Sequence, residues 1–250
     1  MNKLITLFCY KGVRKNDKMK NYLVVGASSG IGKSIAFQLA KLGFQVFGTY
    51  NKNPISINDP CIKLSHYDVL YENISLDFLP DTLDGMVYCP GSIHLRNFER
   101  IKPEDFVKDY QLQVIGAIKT LQSVINLLKK SQEASVIFFS TVAVQLGMPF
   151  HSLVSTNKGA IEGLTKALAA EYAPKIRINC IAPSLTDTPL ASSLLNNEQK
   201  REASAQRHPL KRIGTPEDIA NMAVFLLSEN ASWITGQIFS VDGGLSTLKI

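Results

Sequence analysis

Three glycines, Gly26, Gly30 and Gly32, stand in the stretch VVGASSGIGKS, directly after an apolar run and directly before an amphipathic one. A dinucleotide pyrophosphate has to approach backbone N–H groups and a helix N-terminus closely, and only glycine leaves that space free of a Cβ. Ser28, Ser29 and Ile31 complete the turn and are expected beside the phosphates. The G-x-x-x-G-x-G spacing differs from the usual G-x-G-x-x-G fingerprint, and tight packing alone would also call for glycines. The place of the turn, between a strand and a helix at the head of an alternating chain, favours the nucleotide. A second cue comes later: Lys158 lies in PFHSLVSTNKGAIEGLTKALAAE, residues 149–171, near the start of a helical pattern.

The elements that must position these groups follow from hydrophobic periodicity. Short β-rich runs alternate with longer amphipathic stretches, the signature of βαβ units and a parallel sheet. Strands are expected at Tyr22 to Val25, Gln45 to Thr49, Ile62 to Leu64, Gly85 to Tyr88, Val136 to Ser140, Arg177 to Ile181 and Ile238 to Val241. They predict a single-domain, Rossmann-type, doubly wound α/β fold with a seven-stranded parallel sheet.

Ile31, Ile35, Ala36, Leu39 and Ala40 share one helical face, and Gly43 marks that helix's end. One long helix is expected from Pro103 and Glu104 through Val114, Ile118, Leu121, Ile125 and Leu128. Another carries Ile161, Leu164, Leu168 and Tyr172, and Pro216 with Glu217 and Asp218 opens a fourth. The domain is expected to span residues 19–250. Residues 1–18, ahead of Met19, read as an N-terminal extension, either flexible or the product of an upstream start.

Bulk properties narrow the function classes. There are 27 Lys and Arg against 21 Asp and Glu, giving a net charge of +6 and a pI near 9.1. Apart from KGVRKNDKMK the basic residues are spread along the chain, which argues against nucleic acid and still suits anionic ligands such as phosphates or an acidic carrier protein. Cys9, Cys61, Cys89 and Cys180 lack C-x-x-C spacing and histidine partners. They are expected to be reduced thiols of a cytoplasmic protein, with neither a metal site nor a disulfide framework. No apolar run reaches the roughly 18 residues of a membrane span, and the N-terminal LITLFCY lacks a small-residue cleavage site.

Several local patterns then coincide in one order: the glycine turn, YDV at 67–69, LDGMVYCPG at 83–91, Lys158, IRINCIAPSLTDTPL at 176–190, and RIGTPEDIANMAVFLLSENASWITGQIFSVDGG at 212–244. Together they resemble the short-chain dehydrogenase/reductases over nearly everything from residue 20 onward. The resemblance implies an NAD(P)(H)-dependent oxidoreductase interconverting a carbonyl and an alcohol. Asp68 and Val69 would line the adenine, and Gly91 would lie beside the adenosine ribose. Cys89 belongs to the same cofactor-binding segment, although it and Pro90 interrupt the family's Asn-Ala there. Ile181 to Thr188, with Pro183, Ser184, Thr186 and Thr188, would pass the nicotinamide. Thr188 to about Arg207 would form a mobile substrate lid. The VDGG stretch would end the last strand at a subunit interface of a homo-oligomer, a tetramer or a dimer. After the second strand the chain reads GTYNKNP, so Asn51 and Lys52 stand where an NAD enzyme generally places an acid. NADP(H) is therefore expected over NAD(H), with Lys52 near the 2′-phosphate; a plain surface charge is the alternative.

The family's catalytic group comprises Asn, Ser, Tyr and Lys, in which the tyrosine passes a proton while hydride moves at the nicotinamide. Of these, the resemblance carries over only Lys158 unchanged. Val154 stands four residues earlier, at the tyrosine position, and Thr141, next to Ser140, stands at the serine position. Gln113 stands at the asparagine position, and Ser184 replaces the glycine after Pro183. His151, three residues before Val154, could supply a proton because an imidazole titrates near neutrality. A histidine at a helix entrance is more often structural or solvent-facing. Two readings follow. One is an atypical reductase of a small carbonyl or acyl substrate, free or carrier-bound, using Lys158, Thr141, Ser140, Gln113 and His151 or a water. The other is a degenerate nucleotide-binding or scaffold subunit.

Overall fold

The computed structural model describes residues 19–52, 55, 57–71 and 73–249, so the expected extension at 1–18 lies outside the described residues. Seven strands form one parallel sheet: β1 (Asn21–Val25), β2 (Gln45–Tyr50), β3 (Ile62–His66), β4 (Gly85–Tyr88), β5 (Ala134–Phe139), β6 (Ile176–Pro183) and β7 (Ile238–Val241). Their order is β3-β2-β1-β4-β5-β6-β7, which reverses direction between β1 and β4. In doubly wound sheets a ligand crevice opens at such a switch point, beyond the carboxyl ends of the strands.

Period-two alternation builds the two faces. Tyr22 and Val24 of β1 pack on one side, with Ile35, Ala36 and Leu39 of α1 (Gly30–Lys41). Ile219, Ala223 and Leu226 of α7 (Pro216–Leu227) join that cluster. Leu23 and Val25 pack on the other side, with Leu121, Val124 and Leu128 of α3 (Gly116–Lys129) and Ile161 and Ala169 of α5 (Ser152–Tyr172). Both layers are nearly water-free: Leu23, Val24, Ile35 and Val124 are each 0% exposed.

Helix ends follow local chemistry. After α1 the chain turns at Gly43, whose φ of +85° is a left-handed value that glycine adopts without strain. At α7, Thr215 Oγ1 accepts from the Asp218 N–H at 3.2 Å and the Thr215 N–H donates to Asp218 Oδ2 at 2.7 Å, a capping box followed by Pro216 in the first turn. The expected single helix from Pro103 is interrupted: α2 (Pro103–Tyr110) passes through a π-helical turn, Gln111–Ile115, into α3. A wider turn of this kind re-aims the side chains it carries, and it is frequent at functional sites. The described residues also form α4 (Ala143–Leu146) and α6 (Glu198–Gln206).

One expectation about the cysteines is corrected. Cys61 is disulfide-bonded, whereas Cys89 and Cys180 are free thiols. No helix among the described residues is long and apolar enough to cross a membrane.

Candidate active site

The glycine turn leaves β1 and enters α1 with no room to spare. A Cβ at Gly32 would lie 2.2 Å from the Gly26 carbonyl oxygen and 3.2 Å from Cys89 Sγ. Gly26 has φ +81° and Gly30 φ +52°, both left-handed. The turn is pinned from β2, since Thr49 Oγ1 accepts from the Gly26 N–H at 3.2 Å and Thr49 O from the Ala27 N–H at 2.8 Å. Ser29 makes no side-chain cap and the first turn of α1 holds no acid. The helix therefore presents uncapped N–H groups and an uncancelled positive dipole end, which is what a phosphate requires.

The other expected cofactor residues lie along the same carboxyl edge. Asn51 and Lys52 are exposed just past β2, and among the described residues no carboxylate forms an ion pair with Lys52. Past β3, Asp68 Oδ1 accepts from the Leu70 N–H at 2.9 Å, while Val69 is buried where a Cβ on Gly116 would touch it at 3.2 Å. Cys89 lies behind the turn, against Gly26 and Gly32, and burial pushes its thiol up to about 12. Beyond β6, Thr186 pairs with Gly214 and Thr188 packs against Gly30, so the 183–188 loop crosses over the glycine turn.

The lid region holds the short helical segment Pro189–Leu194 and α6, tied back by a bidentate pair from Arg201 to Asp187 at 2.8 and 3.0 Å. Its leucines divide: Leu195 is buried and packs the protein, whereas Leu190 is exposed.

Lys158, on α5, reaches the end of β5. Its ammonium donates to Phe139 O at 2.9 Å, and burial lowers its pKa to about 8. Residue 154, one helical turn earlier, is a valine only 6% exposed. Ser140 and Thr141 part company. Ser140 is buried and its Oγ donates to Glu162 Oε1 at 2.6 Å. Thr141 is half-buried, its Oγ1 accepting from the Ala143 N–H at 3.3 Å, and it keeps a proton to donate. His151 caps the entrance of α5 with Nδ1 bonded to Pro149 O at 2.7 Å. Among the described residues no hydrogen bond brings it to Lys158, Thr141 or Gln113, and two helical turns separate it from Lys158.

Gln113 comes from the π-helical turn, 1% exposed, and its surroundings were not anticipated. Its Nε2 donates to Asp109 Oδ2 at 2.6 Å, and Asn157 Nδ2 donates to the same oxygen at 2.7 Å. Ser92 Oγ donates to Asp109 Oδ1. Gln113 Oε1 is buried without a partner. A second unanticipated pair involves Ser184: His208 Nδ1 donates to Ser204 O at 2.8 Å, which leaves Nε2 of the neutral ring to accept from Ser184 Oγ at 2.8 Å. The one sequence cue to the Asp109 cluster was the i, i+4 spacing of Asp109 and Gln113. Among the described residues no three His, Cys, Asp or Glu side chains stand close enough to hold a metal ion.

Comparison with known proteins places the chain among oxidoreductases of this fold. A family model described as enoyl-(acyl carrier protein) reductase matches residues 63–246. The chain is 31% identical over 239 residues to the uncharacterized oxidoreductase YmfI of Bacillus subtilis, covering 90% of this chain and 98% of that one. It is 29% identical over 238 residues to the 3-oxoacyl-[acyl-carrier-protein] reductase FabG of Thermotoga maritima, covering 89% and 96%. Among solved structures, ElxO with NADP bound superposes with a TM-score of 0.83 at 27% identity, over 92% of this chain and 100% of that one.

Proposed function

The chain belongs to the short-chain dehydrogenase/reductase family, and on that premise we propose that it interconverts a small carbonyl and its alcohol with NADP(H), using Lys158 where the family uses a phenol. It is an NAD(P)-dependent oxidoreductase; the preference for NADP(H), the residues and their roles are our reading. The observation that carries it is Lys158 itself, a half-buried ammonium held by Phe139 O, with its pKa lowered to about 8 by desolvation. An acid with a pKa near the working pH is well placed to give up a proton and regain it.

A nicotinamide, when bound, supplies or takes the hydride. The chain's own residues do the rest. The uncapped N-terminus of α1 and the bare backbone at Gly26 and Gly32 receive the pyrophosphate, and Lys52 meets the 2′-phosphate. Thr141 donates to the carbonyl oxygen. Lys158 holds the proton that reaches that oxygen, directly or through a water where the Val154 side chain stops short. A 3-oxoacyl thioester is among the substrates this reading admits, since FabG of Thermotoga maritima is named for that class. We read the protein as a homo-oligomer, because β7 is an edge strand and Trp233 beside it is 99% exposed.

Calorimetric titration with NADPH and NADH in parallel tests the reading. Tighter NADPH binding is expected. Tighter NADH binding would overturn the role of Lys52, and no binding of either would replace the enzyme with the scaffold subunit.

A further inference from the structure

Asp109 has three side-chain donors on it, from three separate elements: Ser92 after β4, Gln113 in the π-helical turn, and Asn157 in α5, next to Lys158. Asp109 is 6% exposed, and Gln113 and Asn157 are 1% exposed each. A buried carboxylate is costly unless hydrogen bonds satisfy it, and three donors do so here. Nothing in the packing requires an acid at that place, because a buried helix position is ordinarily filled by an apolar residue.

The acid has a geometric consequence. An ionised carboxylate can only accept hydrogen bonds, so an amide meeting it must present its NH₂ group. Gln113 accordingly turns Nε2 toward Asp109, and its Oε1 points the other way. A Cβ built on Gly91 would meet that Oε1 at 3.6 Å and Lys158 Nζ at 3.7 Å, so both polar ends face the same open spot over Gly91. Gln113 Oε1 has no partner there.

We propose that Asp109 is a positioning residue for this site: its carboxylate locks the Gln113 amide so that Oε1 accepts a hydroxyl donor, from a bound nucleotide or from a water, arriving over Gly91 beside Lys158. The inference rests on the reading of Lys158 as the working acid. With asparagine at 109 the amide could meet its neighbour either way round, and the acceptor would lose its fixed direction. The same carboxylate supports the ammonium, since its negative charge raises the Lys158 pKa against burial. The other groups facing Lys158 are Cys89 and Cys180, thiols that burial pushes up to about 12 and keeps protonated, while Glu162 on the next turn of α5 is bonded to Ser140.

The test uses the full chain labelled with ¹³C at the lysine Cε positions, the Lys158 signal being identified by its loss in Lys158→Arg. Asp109→Asn is expected to move the Lys158 titration down by about half a pH unit or more, since removing a nearby opposite charge disfavours the charged form. NADPH affinity is measured on the same samples by fluorescence. A fall of about tenfold or more would assign the donor to the nucleotide, because tenfold corresponds to one good hydrogen bond. An unchanged affinity with a Lys158 titration that shifts in both Asp109→Asn and Gln113→Leu assigns it to a water, whereas a shift in Asp109→Asn alone reports only the lost charge and overturns the lock on Gln113. A folded Asp109→Asn protein in which neither quantity moves overturns the proposal.

Should Asp109→Asn fail to fold, Gln113→Leu removes the acceptor and leaves Asp109 with Ser92 and Asn157. Unchanged NADPH affinity and an unchanged Lys158 titration in that variant also overturn it. Wild-type protein that binds neither NADPH nor NADH would sink the proposed function, while the Lys158 titration would still decide the role of Asp109.

Discussion

The carboxyl edge of the sheet is built to two different standards. Over β1 the turn tolerates nothing: a single methyl group at Gly32 would sit 2.2 Å from a backbone oxygen. Over β5 the work falls to side chains, with Val154 buried one turn before Lys158 and two amides and a hydroxyl assembled around the Asp109 carboxylate. The first region works through backbone shape, which admits one solution. The second works through side-chain chemistry, where a proton can travel by more than one route. On the proposed reading, valine at position 154 leaves the cofactor's seat intact, because the two requirements are met by different kinds of structure.

The sharpest way to break that contrast is at the intolerant end. Gly32→Ala forces the start of α1 away from Gly26, and overpacking of this kind costs about 1–3 kcal/mol. At 1.4 kcal/mol per tenfold, the upper end weakens NADPH binding by about 100-fold. Calorimetry on a variant shown to be folded by circular dichroism measures it. Binding equal to wild type would mean that the nucleotide does not rely on this turn.

At the tolerant end, Val154→Tyr places a phenol one turn before Lys158. General acid catalysis contributes about 10² to 10⁴ in rate, and on the proposed reading Lys158 supplies part of that, so an increase in kcat of about tenfold is expected. Steady-state NADPH oxidation over a panel of small ketones and a 3-oxoacyl thioester reads it. No gain at unchanged NADPH affinity would show that the pocket has been rebuilt around valine and that the tolerance is specialised.

The same division decided what could be read from the sequence. The glycine turn was legible because a close backbone approach demands glycine whatever surrounds it. β4 and β7 emerged with their observed limits, since short apolar runs between turn residues report strands locally. The π-helical turn at Gln111–Ile115 was missed because the apolar spacing runs on through it, and nothing in a 3.6-residue period marks one wider turn. Asp109 was missed for a different reason: it meets Asn157 across 48 positions, and only the fold brings the two together. The partner of Ser140 was hidden in the same way, since Glu162 lies 22 positions away. Chemistry that depends on long-range partners stays hidden in a chain, while chemistry that depends on the local backbone does not.

His151 offers the finest test of the contrast, with the smallest expected effect. It is the one imidazole in the stretch leading to Lys158, and by residue type alone it would be a fair substitute for a phenol at position 154. In the structure its ring serves the local backbone, because Nδ1 is bonded to Pro149 O at 2.7 Å and so holds the bend into α5. A single neutral hydrogen bond contributes about 0.5–1.5 kcal/mol to stability and less where water can replace it, so His151→Ala should lower the melting temperature slightly. Turnover should stay within about twofold of wild type, well short of the roughly 10² or more that loss of a general acid produces. A fall of that larger size at unchanged NADPH affinity would put the imidazole into the proton route after all. Lys158 would then keep only a binding role, and the tolerant region would owe its tolerance to a histidine at the helix entrance rather than to the ammonium at its centre.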